Sequence, residues 1–153
     1  MYVKGIYVNG TDDLNEVFTL RKEIFGTSES AFNRYFDIDT TLYAENLAVH
    51  ALVLDDDKYV AGGSLFYDGE NFVLDNVGVI TEKRRQKIGD FVVRMLIDRA
   101  FQLGPNKVYV YCNEDVVPFF ETIGFAKCDE MDGIIKLWID EKYVCKECHK
   151  MSK

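Results

Sequence analysis

Lys83-Arg84-Arg85-Gln86-Lys87 places four cations in five positions, separated by only Thr81 and Glu82 from the apolar run Val77-Gly-Val-Ile80 and directly before a long amphipathic segment that opens at Ile88-Gly89-Asp90. This pattern is suited to holding a phosphate. A helix start presents backbone N–H groups with no intrahelical partner, and the aligned peptide dipoles add partial positive charge there. The rest of the chain makes the cluster stand out, because 26 acidic residues oppose 18 basic ones for a formal net charge of −8. Such a balance excludes the broad basic surface that nucleic acid requires and favours a cationic or amine partner.

Cys145-Lys-Glu-Cys148-His149 is the other motif with chemistry in it. As a CxxCH string it matches c-type haem attachment, which belongs to exported chains, and Met1-Tyr-Val-Lys-Gly-Ile-Tyr-Val reads as a strand rather than a leader. Zinc needs four ligands, of which one CxxC supplies two, so His149, Cys128 or a second subunit would have to complete a site. Reduced thiols are the simplest expectation, with no metal required.

The elements that must position these residues follow from pattern. The 153 residues, 48% hydrophobic and 14% aromatic, suit one domain with a substantial core and no membrane span, and a cytoplasmic location is expected. Lys4 to Val8 predicts a strand, and Thr11, Asp12 and Asp13 offer caps for a helix from Leu14 to Phe25 that Gly26 ends. A short helix is expected around Ala31 to Phe36, inside an irregular segment from Ser28 to Asn46 placed to form a substrate loop. Strands are expected at Leu47 to Leu54, Tyr59 to Tyr67 and Phe72 to Val79, with hairpin turns at Asp55-Asp-Asp-Lys58 and Asp68-Gly-Glu-Asn71. After Gly89 comes a helix with Asp90, Arg94, Asp98 and Gln102 on one polar stripe, stopped by Gly104-Pro105. Lys107 to Cys112 is then a strand parallel to the one before the helix. A short helix from Val116 to Ile123 ends at Gly124, and a hairpin of Phe125 to Cys128 and Ile134 to Ile139 turns at Met131-Asp-Gly133. Residues 1–139 form the domain and 140–153 a charged, cysteine-bearing tail.

Val79-x-Thr81-x-x-Arg84-Arg85-Gln86-Lys87-Ile88-Gly89, followed by Asn113 and by Pro118-Phe-Phe-Glu-Thr-Ile-Gly-Phe125, resembles the GNAT superfamily of acyl-CoA-dependent N-acyltransferases. The first block is similar to that family's motif A and the second to its motif B. Leu20-Arg-Lys-Glu-Ile-Phe25, with Asp37, Asp39 and His50, is similar to its bacterial ElaA-like branch. The resemblance runs from Tyr2 to Ile139. It implies an α/β domain, with a mixed, mostly antiparallel sheet of about six to seven strands, a splayed parallel pair at the CoA site and helices on both faces.

The resemblance also implies roles. Arg84, Arg85, Gln86, Lys87, Ile88, Gly89 and Asp90 would wrap the CoA pyrophosphate. Val77 and Val79 would pair with the pantetheine arm and aim an N–H at the thioester oxygen. Asn113 with Phe119 or Phe120 would border the arm's other side. Lys87 stands where the family pattern has glycine, a position disfavouring a side chain if φ is positive. Phe120 stands where many members carry a proton-donating tyrosine, which leaves Tyr111 or Tyr109 to donate instead. Asp75 is the first candidate for the base that delivers a neutral amine, with Glu45 and Asp37 next. For Asp75 an ordinary strand-edge or turn carboxylate is the competing explanation, and His50 is expected to be a hydrogen-bonded strand histidine.

The implied activity is transfer of an acetyl group from acetyl-CoA, as cosubstrate, to a primary amine by direct attack in a ternary complex. Two other readings stay open: a CoA-binding sensor that has lost turnover, and a homodimer joined through zinc at the cysteine tail.

Overall fold

The computed structural model describes residues 3–26, 48–67, 71–83, 87–105 and 107–140. Along them run β1 (Val3–Asn9), α1 (Asn15–Phe25), β2 (Val49–Asp55), β3 (Lys58–Tyr67), β4 (Phe72–Val79), α2 (Ile88–Gln102), β5 (Lys107–Cys112), α3 (Val117–Ile123), β6 (Ala126–Met131) and β7 (Ile134–Asp140). These are the strands and helices expected from pattern, their ends displaced by a few residues. The short helix expected around Ala31 to Phe36 and the tail from residue 141 lie outside the described residues.

Turn chemistry explains why the β2–β3 and β6–β7 hairpins close where they do, whereas most of the turn expected at Asp68-Gly-Glu-Asn71 lies outside the described residues. Asp56 and Asp57 both take positive φ, 48° and 72°, as do Asp132 and Gly133 at 53° and 82°. Two consecutive left-handed residues are the primed geometry whose twist matches the flanking strands, and Asp and Gly tolerate it best. At the end of α1, Gly26 has φ 79° and its N–H donates to the Lys22 carbonyl. The start of α1 differs from expectation. Leu14 is the N-cap with no side-chain bond, while Asp13 Oδ1 accepts the Asn15 N–H at 3.0 Å and Asp12 Oδ2 accepts that of Asn9. The two aspartates thus hold the preceding turn, and Thr11 caps nothing.

The strands form one mixed sheet of order β1-β2-β3-β4-β5-β7-β6. Only β4 and β5 are parallel, as the crossover through α2 requires. The last hairpin enters the sheet by its second strand, so β7 pairs antiparallel with β5 and β6 becomes a fully exposed edge. Helices cover both faces. A Cβ built on Gly62 would meet Leu20 of α1, whereas one on the neighbouring Gly63 would meet Val92 and Leu96 of α2. Between these layers Leu65, Leu74, Leu96, Ile97, Ile135 and Leu137 are almost fully buried. Among the described residues no helix is long and apolar enough to cross a membrane.

Gly62 lets α1 approach the sheet. The added Cβ would lie 2.9 Å from the Ala51 carbonyl oxygen and 3.0 Å from Leu20 Cδ2, and the backbone atom cannot swing away. Gly62→Val is expected to cost about 2–3 kcal/mol, read as a lower midpoint in chemical denaturation.

Candidate active site

Pairing between β4 and β5 stops early. Phe72, Val73 and Leu74 face Val108, Tyr109 and Val110, and no rung follows. The cause sits in β4. Between the rungs Ser64/Asp75 and Gly62/Gly78, β3 contributes one residue and β4 contributes two, Asn76 and Val77. This is a β-bulge, and Asn76 takes φ 56°, a left-handed conformation that asparagine tolerates better than most side chains. Bulges bend a strand and break its ladder, so β4 turns away from β5 at the middle of the sheet.

The start of α2 lies at the far end of β4. Ile80 N–H donates to the Val60 carbonyl, a 3₁₀ turn covers Thr81–Lys83, and Lys87 enters the helix with φ 63° and ψ 17°. The first intrahelical bond is donated by Phe91 to the Lys87 carbonyl, so the N–H groups of Ile88, Gly89 and Asp90 precede the ladder. Ile88 turns its side chain into the core, at 3% exposure, and offers only its backbone outward. A Cβ on Gly89 would lie 3.5 Å from the Phe119 ring and 3.6 Å from Val79, so Gly89 stands between β4 and α3. Arg84, Arg85 and Gln86 lie outside the described residues.

Two charges behave differently from a simple basic cluster. Lys83 Nζ is 2.6 Å from Asp55 Oδ2, and the hydrogen bond and charge of that carboxylate raise its pKa. It therefore ties the turn to β2 as half of an ion pair. Asp90 Oδ1 accepts from Arg94 Nε at 2.5 Å, one helical turn on. The repulsion that Asp90 would exert on an anion is reduced by that partner.

Asp75 and Tyr111 are the first residues beyond the last β4–β5 rung, one on each strand. They also share a sheet face: Tyr109 and Tyr111 pack against Phe66 and Val73, and alternation along β4 puts Asp75 on the side of Val73. Asp75 is 8% exposed in a central strand, so it is no strand-edge carboxylate. Asn113 is exposed just after β5, where its carbonyl accepts the Val116 N–H. Phe119 is half-buried, whereas Phe120 is buried between Phe119 and Phe125, ring centroids 5.0 and 5.3 Å apart. Cys112, on the opposite face from Tyr111, is a buried thiol whose pKa burial pushes up. Glu45 and Asp37 lie outside the described residues.

A polar network lies beside Asp75; His50 is in it as the hydrogen-bonded strand histidine expected, while Arg21 and Ser64 were not foreseen. Arg21 of α1 donates to Ser64 Oγ at 2.9 Å, and His50 Nδ1 shares the same hydroxyl at 2.7 Å. All three are buried, at 4%, 1% and 0% exposure. Ser64 faces Asp75 directly across β3 and β4. A recess opens at this point, lined by Leu20, Arg21, Ile24 and Phe25 of α1 and by Gly62, Ser64 and Asn76 of the sheet. The signal was present: Arg21 follows Val17 by four residues, on the stripe that α1 buries. Among the described residues no cluster of three or more His, Cys, Asp or Glu side chains is placed to hold a metal, and Cys145, Cys148 and His149 lie outside them.

A sheet split at its one parallel pair, with a helix starting at the mouth of the split, is the fold of the acyl-CoA N-acyltransferases. A *Pseudomonas aeruginosa* acyl-CoA N-acyltransferase matches with a TM-score of 0.71 at 15% identity, over 90% of this chain and 99% of its own. *Escherichia coli* ElaA matches at 0.68 and 18% identity, over 91% and 100%. The PaiA N-acetyltransferase of *Thermoplasma acidophilum*, solved in complex with coenzyme A, matches at 0.68 and 14%, over 92% and 99%. The model of the acetyltransferase (GNAT) family matches residues 14–125, and the chain belongs to that family of acyltransferases.

Proposed function

We propose that the protein transfers an acetyl group from acetyl-CoA to a primary amine by direct attack within a ternary complex. The observation that carries this reading is the alignment of three features: the β4–β5 split, the bulge at Asn76 and the free N–H groups at the start of α2. CoA would lie along them. Arg84, Arg85, Gln86, Lys87, Ile88, Gly89 and Asp90 hold the pyrophosphate, and Val77 and Val79 pair with the pantetheine arm. Asn113 and Phe119 border its other side, while Phe120 packs behind Phe119. An N–H near the bulge polarises the thioester carbonyl, and Asp75 receives a proton from the attacking amine. Direct attack is favoured over an acyl-cysteine because Cys112 is held as a thiol by burial. The acidic chain favours a cationic acceptor arriving on the α1 face.

Calorimetric titration with acetyl-CoA and CoA tests the cofactor, and thiol release across a panel of primary amines tests the transfer. No binding at high protein concentration would overturn the reading. Binding without thiol release for any amine would instead make the protein a CoA sensor.

Lys87 gives a separable prediction. Its left-handed backbone costs a non-glycine residue about 1–2 kcal/mol, part of which glycine returns through the entropy of the unfolded chain. Lys87→Gly is expected to raise the melting temperature by about 2–4 °C. It also removes a cation from the phosphate loop and should weaken CoA binding about fivefold.

A further inference from the structure

Phe120, standing where the family pattern has tyrosine, leaves the departing sulfur without that donor on the α2 face, and the opposite face offers a hydroxyl. Tyr111 sits there at the split, and it is paired in register with Lys136 of β7. Lys136 Nζ lies 4.3 Å from the centre of the Tyr109 ring and 5.7 Å from that of Tyr111, within hydrogen-bonding reach of the Tyr111 hydroxyl. An ammonium set over one ring and within reach of the hydroxyl of the next restricts where that hydroxyl points.

We propose that Lys136 is a positioning residue for Tyr111, holding its hydroxyl at the β4–β5 split as the proton donor to the departing CoA thiolate. This role rests on the transferase reading. In the reaction the amine nitrogen forms a bond to the thioester carbon, the C–S bond breaks and its electron pair leaves on sulfur. Tyr111 gives its proton to the sulfur, and the Lys136 ammonium stabilises the phenolate. An acceptor that arrives as an ammonium brings three protons: the amide keeps one, one restores Tyr111 by way of Asp75 and water, and one goes to solvent. The balance is acetyl-CoA plus ammonium giving amide, CoA thiol and a proton.

The electrostatics agree with the geometry. Burial alone would lower the Lys136 pKa, but the charge and hydrogen bond of Tyr111, with Cys128 and Tyr109, more than offset it and raise the value. Among the described residues the groups facing this pair are Tyr109 on β5, Cys128 and Asp129 on β6, and Asp75 on β4. Lys136 therefore stays charged through neutral pH and is a poor self-acetylation target.

Steady-state thiol release from acetyl-CoA, with an amine that the wild type uses, tests the proposal in Lys136→Met, Lys136→Arg, Tyr111→Phe and the Lys136→Met/Tyr111→Phe double variant. Tyr111→Phe and Lys136→Met should each lower kcat at least about tenfold with KM for acetyl-CoA within about twofold. Lys136→Arg should recover most of the loss. Because Lys136 acts through Tyr111, the double variant should be no slower than Tyr111→Phe. Additive losses, or no change in either single variant, would overturn the proposal. A second measurement covers a variant that fails to fold: ¹³C-dimethylated Lys136, followed by NMR, should titrate at lower pH in Tyr111→Phe than in the wild type, and an unchanged midpoint would overturn it. Absence of thiol release from the wild type with every amine would overturn the transferase reading itself and this role with it.

Discussion

Asp75→Asn is expected to lower kcat about a hundredfold while leaving CoA affinity within about twofold, measured by thiol release and by calorimetric titration. The argument is positional. Asp75 lies one residue past the last β4–β5 rung, in a central strand and at 8% exposure, facing the α1 side where the recess opens. A carboxylate there would stand between the proposed acceptor and the thioester's expected place. Asparagine keeps the volume and one acceptor oxygen but cannot take a proton, so the change removes proton acceptance while disturbing the shape of the site least. A loss confined to kcat is what a proton acceptor predicts. A parallel fall in stability and CoA affinity would assign Asp75 to packing. The rate should also lose its rise with pH on the acid side, since the group that must be ionised is gone.

What the sequence revealed and what it hid divide along physical lines. Hairpins and helix ends were legible because Asp-Asp, Asp-Gly and Gly at positive φ announce themselves locally. The start of α2 was legible for the same reason: a strand, a cationic turn and an amphipathic run are contiguous in the chain. The split was not. It depends on one extra residue in β4, and the only local trace is an asparagine inside an apolar run, Leu74-Asp-Asn-Val77. Nor could the sequence say that Lys83 is committed to Asp55, which lies across the sheet in β2 and far away in the chain. Tyr111 emerged only as a candidate because its neighbour Lys136 comes from β7, which inserts between β5 and the edge strand β6 although β6 precedes it in the chain. Long-range pairings of this kind are set by the global packing of the sheet, which no window of sequence contains.

Gly89→Ala separates fold from function at the other end of the split. The second residue of α2 gains from alanine in helix propensity, about 0.5–1 kcal/mol, and the added methyl meets Phe119 and Val79 at ordinary contact distance. The apo protein should therefore be as stable as the wild type or slightly more stable by thermal melting. CoA should notice the same methyl. It fills the gap between β4 and α3 in front of the N–H groups that lack intrahelical acceptors, where a pyrophosphate must approach the backbone closely. Affinity for CoA is expected to fall at least about tenfold, equivalent to about 1.4 kcal/mol. Gly62→Val supplies the contrast, since there the methyls meet a backbone oxygen and stability falls first. If Gly89→Ala binds CoA like the wild type, the pyrophosphate does not lie over the start of α2, and the basic turn must then serve a different anion.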